Sequence, residues 1–220
     1  MSWLDAVSWI SIIFGFVTAG IISNYLVAHP QKMGIMNIVW PVTGLYFPLI
    51  GLWFYRAMGR PMAADAPAMK GEQPYWKRIF LSATHCGSGC VIGDVLGPLI
   101  VFGFGLTLLG SVHFAEYVAE FVLAYAFGIA FQYFPIRRMR NIPPREAILD
   151  AVKADTLALV AFEVGMFGWM AIAQYVLLPS HPSPDSAVFW FMMQIGMIFG
   201  FVTTYPANWL LIRSGIKSGM

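Results

Sequence analysis

Charged side chains are scarce in this sequence. Asp, Glu, Lys and Arg make up 11% of the 220 residues, and 59% are apolar, whereas about a quarter of an ordinary soluble domain is charged. The composition therefore excludes a typical soluble protein and indicates one whose partner is the lipid bilayer. The balance of 13 basic to 11 acidic residues is too even to indicate nucleic acid as a partner.

Signals for export and for common soluble enzymes are also lacking. Residues 1–9 contain no basic stretch, and no small-residue cleavage site follows the first apolar run, so we expect the first span to be retained. The sequence contains no Gly-rich phosphate loop, no nucleophile elbow and no HExxH motif, which makes an enzyme the less economical interpretation. Only two cysteines are present, four residues apart, so they cannot build a secreted disulfide framework.

Six stretches are long and apolar enough to cross a bilayer as helices, since a span takes about 20 residues. They are 5–27, 36–57, 79–110, 114–135, 147–178 and 187–212. The second contains Pro41 and Pro48 and should be kinked, because proline removes a helical hydrogen bond. We therefore predict an all-α integral membrane protein with six transmembrane helices, in which residues 1–220 form a single polytopic domain.

The basic residues fall almost entirely on one side of such an arrangement. If both termini are cytoplasmic, the outer connections keep only Lys32, and Lys153 lies just inside a span. The inner side then collects Arg56, Arg60, Lys70, Lys77, Arg78, Arg137, Arg138, Arg140, Arg145, Arg213 and Lys217. Cytoplasmic loops carry an excess of Lys and Arg, so the pattern predicts that both termini are cytoplasmic.

Residues 82–98, SATHCGSGCVIGDVLGP, carry the most reactive group of side chains in the sequence. In a helix, Cys86, Cys90 and Asp94 are spaced i, i+4 and i+8 and form one narrow stripe. The disulfide alternative is disfavoured there, because Cβ atoms at this spacing are about 5–6 Å apart and a disulfide needs roughly 3.8 Å.

A second stripe of small residues lies beside the first. Gly89, Gly93 and Gly97 repeat at the same four-residue interval, and small residues at this spacing let another membrane helix approach closely. The reactive side chains are therefore predicted to face protein rather than lipid. The same glycine stripe could instead dock a partner, if it faces outward.

A soft metal ion would bridge the two sulfurs, because metal–sulfur bonds are about 2.3 Å long. Thiolates suit Cu(I) or Zn(II), and added thioether ligands favour Cu(I). Met193 and Met197 share one helical face and could complete the shell, as could His85, which lies about 100° around the helix from Cys86. Packing is the competing interpretation for these residues, since Met and free Cys commonly fill buried gaps.

Two carboxyl groups fall inside predicted spans. Asp94 and Glu163 are costly in a membrane interior, which by default suggests function. They could balance the charge of a bound cation or relay protons. Alternatively, each is a hydrogen-bonded carboxyl that fixes helix packing.

Three segments together resemble a known family. HCGSGCVIGD at 85–94, KADTLALVAFEVGMFGWMA at 153–171 and FWFMMQIGMIFGFVTTYPANWLLIRSGIK at 189–217 are similar to a bacterial membrane family catalogued as domain of unknown function 4396. The resemblance implies a helical, multi-pass protein of the bacterial cytoplasmic membrane, and it implies no catalytic residues. The positions it marks are His85, Cys86, Cys90, Gly93, Asp94, Asp155, Glu163, Gln194, Pro206 and Asn208.

Three hypotheses for function follow. The first is a membrane protein that binds a soft metal, Cu(I) before Zn(II), at Cys86 and Cys90 and transports or delivers it. The second is a thiol oxidoreductase that cycles the same two cysteines, which requires the Gly-Ser-Gly segment between them to be unwound. The third is a structural or assembly subunit, either of a homo-oligomer or of a larger membrane complex.

Overall fold

The computed structural model of the chain describes residues 3–67, 71–178 and 181–219. Within these ranges the fold is all-helical, as predicted, with seven α-helices, two π-helical turns, one short 3-10 helix and no β-strand. Lys70, which the sequence assigns to the inner side, and residues 179–180 of the last predicted connection lie outside them.

Five of the described helices are long and apolar enough to cross a membrane. They are α1 (Trp3–Ala28), α4 (Tyr75–Phe104), α5 (Val112–Arg140), α6 (Pro144–Ile172) and α7 (Ala187–Arg213). They match five of the six predicted spans, although α4 begins earlier and ends earlier than expected. A π-helical turn, Ala173–Leu177, extends α6.

Local signals set the ends of these helices. The Ser111 and Ser186 hydroxyls accept hydrogen bonds from backbone N–H groups in the first turns of α5 and α7, as N-cap residues do. Gly105 ends α4 in the left-handed conformation, with φ 61°, and Asn141 ends α5 at φ 50°. Both residue types are common at this position.

The predicted second span, 36–57, is not one helix. Helix α2 (Met36–Tyr46) ends before Pro48, and a short helix α3 (Ile50–Phe54) begins after it and runs into a π-helical turn. Between them Leu49 has φ 61°, and the Ile50 N–H donates to the Pro48 carbonyl at 2.7 Å, which closes a rare positive-φ γ-turn. The prolines predict a kink here, but the chain in fact reverses.

The two halves of this segment form an antiparallel helical hairpin, residues 36–59. A Cβ atom placed on Gly51 would lie 3.0 Å from the Gly44 Cα atom. Further along, the rings of Trp40 and Tyr55 meet edge to face with centroids 5.6 Å apart. Both ends of the hairpin therefore lie at the same end of the bundle, and the prediction of a sixth crossing here is not confirmed.

Hydrogen bonds tie the ends of the hairpin to its flanking loops and to α4. The Ala64 N–H donates to the Pro30 carbonyl at 2.8 Å, and His29 pairs with Asp65. The Lys77 ammonium, near the start of α4, donates to the Ala57 carbonyl. The loop before the hairpin, the loop after it and the start of α4 therefore share one end of the molecule.

We call this the basic end of the bundle. The Tyr75 hydroxyl donates to the Trp209 carbonyl, which places the start of α4 beside the end of α7, and an Arg140–Asp150 ion pair joins the end of α5 to the start of α6. All the Lys and Arg residues in the described ranges lie at or near it: Lys32, Arg56, Arg60, Lys77, Arg78, Arg137, Arg138, Arg140, Arg145, Lys153, Arg213 and Lys217. The prediction that Lys32 lies on the opposite side from the others is wrong. The hairpin does not cross the bundle, so the loop before it, which contains Lys32, and the loop after it lie at the same end.

The glycine stripe of α4 packs against α5. A Cβ atom on Gly93 would lie 2.1 Å from the Ala124 amide nitrogen, so the two backbones are in direct contact. The contacts along the stripe pair Gly89 with Gly128, Gly93 with Ala124, and Gly97 with Glu120. This confirms the prediction that a helix approaches closely here. Because α5 occupies the stripe, it is not free to dock a partner, as the assembly hypothesis required.

Candidate functional site

The reactive stripe of α4 faces the protein interior, as predicted. The helix is continuous through the Gly-Ser-Gly segment, and Cys86, Cys90 and Asp94 are 1%, 0% and 0% exposed. Both cysteines carry free thiols, and the two thiols are close enough to interact. The unwound segment that a thiol oxidoreductase would need is not present.

A carboxyl group from α6 meets this stripe. Glu163 lies within electrostatic reach of the Cys90 thiol and the Asp94 carboxyl. No described residue makes a hydrogen bond to any oxygen of Asp94 or Glu163. Two ionised carboxylates repel each other and can only accept hydrogen bonds, so a cation bound near them would be stabilised. A buried charge without a partner would be costly.

His85 lies beside the cysteines in sequence but on another face of α4. Its ring packs near Phe131 of α5, with centroids 6.1 Å apart, and neither ring nitrogen has a hydrogen-bond partner among the described residues. The part of the chain that the structure describes contains no group of three or more His, Cys, Asp or Glu side chains placed to hold a metal ion.

The two methionines of α7 line a neighbouring cavity of about 430 Å³. Met193 and Met197 are buried and face Val91 and Val95 across this cavity. On α4 these valines each follow a residue of the reactive stripe, so they point about 100° away from it. The methionines thus lie next to the predicted site rather than on the stripe itself.

Comparison with known proteins identifies the family. A family model described as domain of unknown function DUF4396 matches residues 75–217. The chain belongs to this family. No curated protein and no solved structure matches the chain. The DUF4396 region begins with α4 and ends at Lys217, so it contains the whole reactive stripe together with Glu163.

One residue outside the DUF4396 region reaches the thiols. Tyr46, at the end of α2, is fully buried, and its hydroxyl lies within electrostatic reach of Cys86 and Cys90. The hairpin is held against α4 by Ser88, whose hydroxyl donates to the Val39 carbonyl at 3.2 Å. Sequence analysis missed Tyr46, because its ring reaches α4 only through the packing of α2 against α4, where its hydroxyl would lie 3.8 Å from a Cβ atom on Gly87.

A buried ion pair lies at the C-terminal end of the DUF4396 region, at the basic end of the bundle. Lys217 is 4% exposed, and its ammonium lies 3.2 Å from the Asp155 carboxylate and 3.0 Å from the Asn208 side-chain oxygen. The chain after α7 turns back at Gly215, with φ 72°, and the Lys217 N–H donates to the Leu211 carbonyl. Sequence analysis placed Lys217 among the basic residues of the cytoplasmic side and did not predict its burial. Gly215 is the one sequence signal for the turn that buries it.

Two more carboxyl groups lie between the stripe and the opposite end of the bundle. Glu116 and Glu120 of α5 are 4% and 2% exposed. Glu120 is within electrostatic reach of Asp94 and Glu163. The DUF4396 region therefore encloses a series of ionisable groups that continues from the thiols toward the end opposite the basic end.

Proposed function

We propose that this DUF4396 protein is a multi-pass protein of the bacterial cytoplasmic membrane that binds Cu(I) at Cys86 and Cys90 and transports or delivers it. The observation that carries the proposal is the pair of adjacent, buried, free thiols beside the carboxyl groups of Asp94 and Glu163, which have no other partner among the described residues.

Cu(I) suits this donor set better than Zn(II). Structural zinc sites are almost always four-coordinate, and the described residues offer no group of three His, Cys, Asp or Glu ligands. Soft thiolates select Cu(I). The Met193 and Met197 thioethers, in the cavity beside α4, would favour the same ion if they approach it.

The Asp94 and Glu163 carboxyl groups are suited to balance the charge changes that accompany Cu(I) binding. Two thiols that take up Cu(I) as thiolates release two protons, because metal ligands must be deprotonated. Glu163 lies within electrostatic reach of Cys90 and of Asp94, so an ionised carboxylate there could accept a released proton. Asp94 and Glu163 thus act in proton transfer or charge balance rather than as metal ligands.

We further propose that five helices cross the membrane and that the 36–59 hairpin enters and leaves it from the cytoplasm. Five crossings place the two termini on opposite sides, which replaces the six-span arrangement with both termini cytoplasmic. The basic end, which holds every described Lys and Arg, then faces the cytoplasm, as the positive-inside rule requires. The C-terminus is cytoplasmic and the N-terminus is outside.

The topology is tested with single reporter cysteines in a Cys86→Ser/Cys90→Ser background. A membrane-impermeant maleimide applied to spheroplasts, whose outer membrane has been removed, should label Trp3→Cys and spare Ser218→Cys until the cells are lysed. Protection of both positions before lysis would instead support six crossings.

The metal proposal is tested on protein purified in detergent under reducing conditions. The wild-type chain should bind a single Cu(I) in competition with a Cu(I) chelator, and Cys86→Ser and Cys90→Ser should each abolish this binding. Thr84→Ser is the matched control, since Thr84 is a buried residue of α4 near the cysteines whose hydroxyl donates within its own helix, to the Phe80 carbonyl. Equal copper stoichiometry in the wild type and the cysteine variants would refute the proposal.

A further inference from the structure

A cavity of about 560 Å³ lies at the basic end of the bundle. The end of α5, the start of α6 and the turn that follows α7 form its walls, together with Met33 of the loop before the hairpin. The charged residues that line it are Arg140, Asp150, Lys153 and Lys217. The lining therefore contains three cations and one carboxylate.

Two of the three cations already have an anionic partner. Arg140 pairs with Asp150, and the Lys217 ammonium lies 3.2 Å from the Asp155 carboxylate. Lys153 is exposed and makes no ion pair with an acidic residue that the structure describes. The cavity thus carries one positive charge that the described part of the chain leaves unbalanced.

A buried amide adds hydrogen-bond donors to the same cavity. Gln132 of α5 lines it, is 5% exposed and makes no hydrogen bond to a described residue. Buried polar side chains are normally paired, so the Gln132 amide is available to a ligand. The Arg140 guanidinium has five N–H donors, and its pair with Asp150 uses only one nitrogen. Ammonium, amide and guanidinium donors together suit the oxygens of a phosphate group.

A second cavity, of about 370 Å³, adjoins the first. Met33 and Pro135 line both cavities, so the two share a wall. The lining of the second cavity is mainly apolar and includes Phe134. The charged residues that line it, Lys32 and Arg138, are both basic. A polar, cationic cavity beside a mainly apolar one fits a ligand that is both anionic and amphipathic.

We propose that the two cavities bind one anionic phospholipid, with its phosphate in the larger cavity and the first part of an acyl chain in the smaller. Lys153, Gln132 and Arg140 donate hydrogen bonds to the phosphate oxygens. A phosphodiester carries a single negative charge, which balances the charge of Lys153. Basic pockets between membrane helices are known sites for anionic lipid headgroups.

The position of the cavities agrees with a lipid rather than a soluble anion. All the Lys and Arg residues in the described ranges lie at or near the basic end, and charged side chains are costly within the hydrocarbon. This end therefore lies at the level of the lipid headgroups. The inference goes beyond the copper proposal, since neither cavity is lined by Cys86 or Cys90. It requires that the basic end lie at a membrane surface, whichever side that surface faces.

The test uses the full chain, purified in detergent and delipidated. Native mass spectrometry counts the bound lipid, and thermal unfolding measures its effect on stability. The wild type should retain one phosphatidylglycerol in preference to phosphatidylcholine with the same acyl chains, and phosphatidylglycerol should raise its melting temperature. Lys153→Gln should lower the affinity for phosphatidylglycerol about fivefold, as expected for the loss of one basic residue near an anionic lipid.

The matched control is Arg145→Gln. Arg145 is an exposed cation of the same helix at the same end, and it lines neither cavity, so its loss should leave the affinity unchanged. Lys153→Arg keeps the charge and should keep most of the binding. If Lys153→Gln does not fold, Gln132→Leu tests the same site from α5. Equal binding by folded site variants and Arg145→Gln, or no preference of the wild type for phosphatidylglycerol, would overturn the proposal.

Glycerol phosphate and inorganic phosphate distinguish a lipid from a soluble anion, because they carry the anionic group without acyl chains. Neither should displace phosphatidylglycerol at equal concentration. Displacement by either would show that the site takes a soluble anion, and the lipid proposal would be wrong. A wild-type chain that binds phosphatidylglycerol but no Cu(I) would leave the lipid site standing and remove the copper proposal alone.

Discussion

Two regions of the molecule bury different kinds of polar side chain. They are the N-terminal region, residues 3–62, and the DUF4396 region, residues 75–217. The described buried polar side chains of the N-terminal region, apart from its tyrosines, are the uncharged Ser8, Thr18, Gln31 and Thr43. The DUF4396 region buries His85, Asp94, Glu116, Glu120, Asp155, Glu163 and Lys217, as well as both cysteines.

Hydrogen bonding separates the regions only in part. The Ser8 and Thr43 hydroxyls donate to carbonyls one turn back in their own helices, but the Tyr46 and Tyr55 hydroxyls have no partner among the described residues. In the DUF4396 region the groups without a partner include the carboxyl oxygens of Asp94 and Glu163. Polar groups that serve packing find partners within the fold, and those left open in a membrane interior are candidates for function.

The comparison also holds for helix packing. In the most apolar 18-residue window of α1, 28% of residues are buried, against 56% for α4. Helix α1 and the hairpin therefore cover one side of a bundle centred on α4. The ionisable side chains of the candidate site therefore lie in the DUF4396 region, and the N-terminal region places Tyr46 beside them.

The largest expected effect comes from removing the positive charge of Lys217, which is buried beside Asp155 at the basic end. Lys217→Met leaves Asp155 buried without its cation, and removing one partner of a buried ion pair costs about 3–5 kcal/mol. Chemical unfolding in detergent micelles measures the loss. Ser218→Ala changes the next residue and should have little effect. The double variant Lys217→Met/Asp155→Asn should recover most of the stability, and an equal loss in the double variant would contradict the ion-pair explanation.

The next effect tests the close contact of α4 and α5. Gly93→Ala places a methyl group 2.1 Å from the Ala124 backbone nitrogen, which the backbones can only relieve by moving apart. We expect a loss of about 1–3 kcal/mol, typical of overpacking, seen as a lower melting temperature. Gly103→Ala is the control, because nothing lies within 4 Å of a Cβ atom there, and alanine should stabilise the helix by up to about 1 kcal/mol. Equal melting temperatures for the two variants would contradict the contact.

A third change tests how the two regions are joined. The Gln194 side-chain amide donates to the Leu45 carbonyl at the tip of the hairpin, at 2.7 Å, and its oxygen accepts a hydrogen bond from Ser11 at 2.8 Å. Gln194→Leu leaves that carbonyl without this donor, at a cost of about 1–2 kcal/mol. Hydrogen exchange should rise in the hairpin and stay low in the middle of α4. Ser11→Ala removes only one of the two bonds and should have a smaller effect, whereas uniform exchange across both regions would argue against a separable hairpin.

The smallest effect concerns the loops that flank the hairpin. The hydrogen bond with His29 lowers the pKa of the exposed Asp65 carboxyl below its ordinary value. The contribution of this pair to stability is therefore complete above the unfolded pKa, about 3.9, and is lost as the pH falls through the folded pKa. Asp65→Asn should unfold slightly more easily than the wild type at neutral pH, with a difference that shrinks in acid. A difference that grows in acid would contradict the assignment.

Much of the fold and part of the candidate site were predictable. Spans α1, α4, α5, α6 and α7 follow from their apolar length, and the four-residue repeats of Cys and Gly correctly predicted that these two stripes of α4 face protein. The hairpin was missed because residues 36–57 are as apolar as a crossing helix. Pro48 predicts a break in the helix but not the angle between the two parts. Tyr46 was missed because its place beside the thiols depends on the packing of α2 against α4, and the burial of Lys217 was missed because it depends on the turn at Gly215.

The sequence by itself determined that the chain is helical, lies in a membrane and places Cys86, Cys90 and Asp94 on one stripe, because hydrophobic length and helical periodicity act within a single segment. Only the tertiary structure decided that Glu163 meets Asp94, that the hairpin turns back and that Glu120 fills the space at Gly97. These contacts join residues far apart in the chain, and the close approach of whole helices selects them.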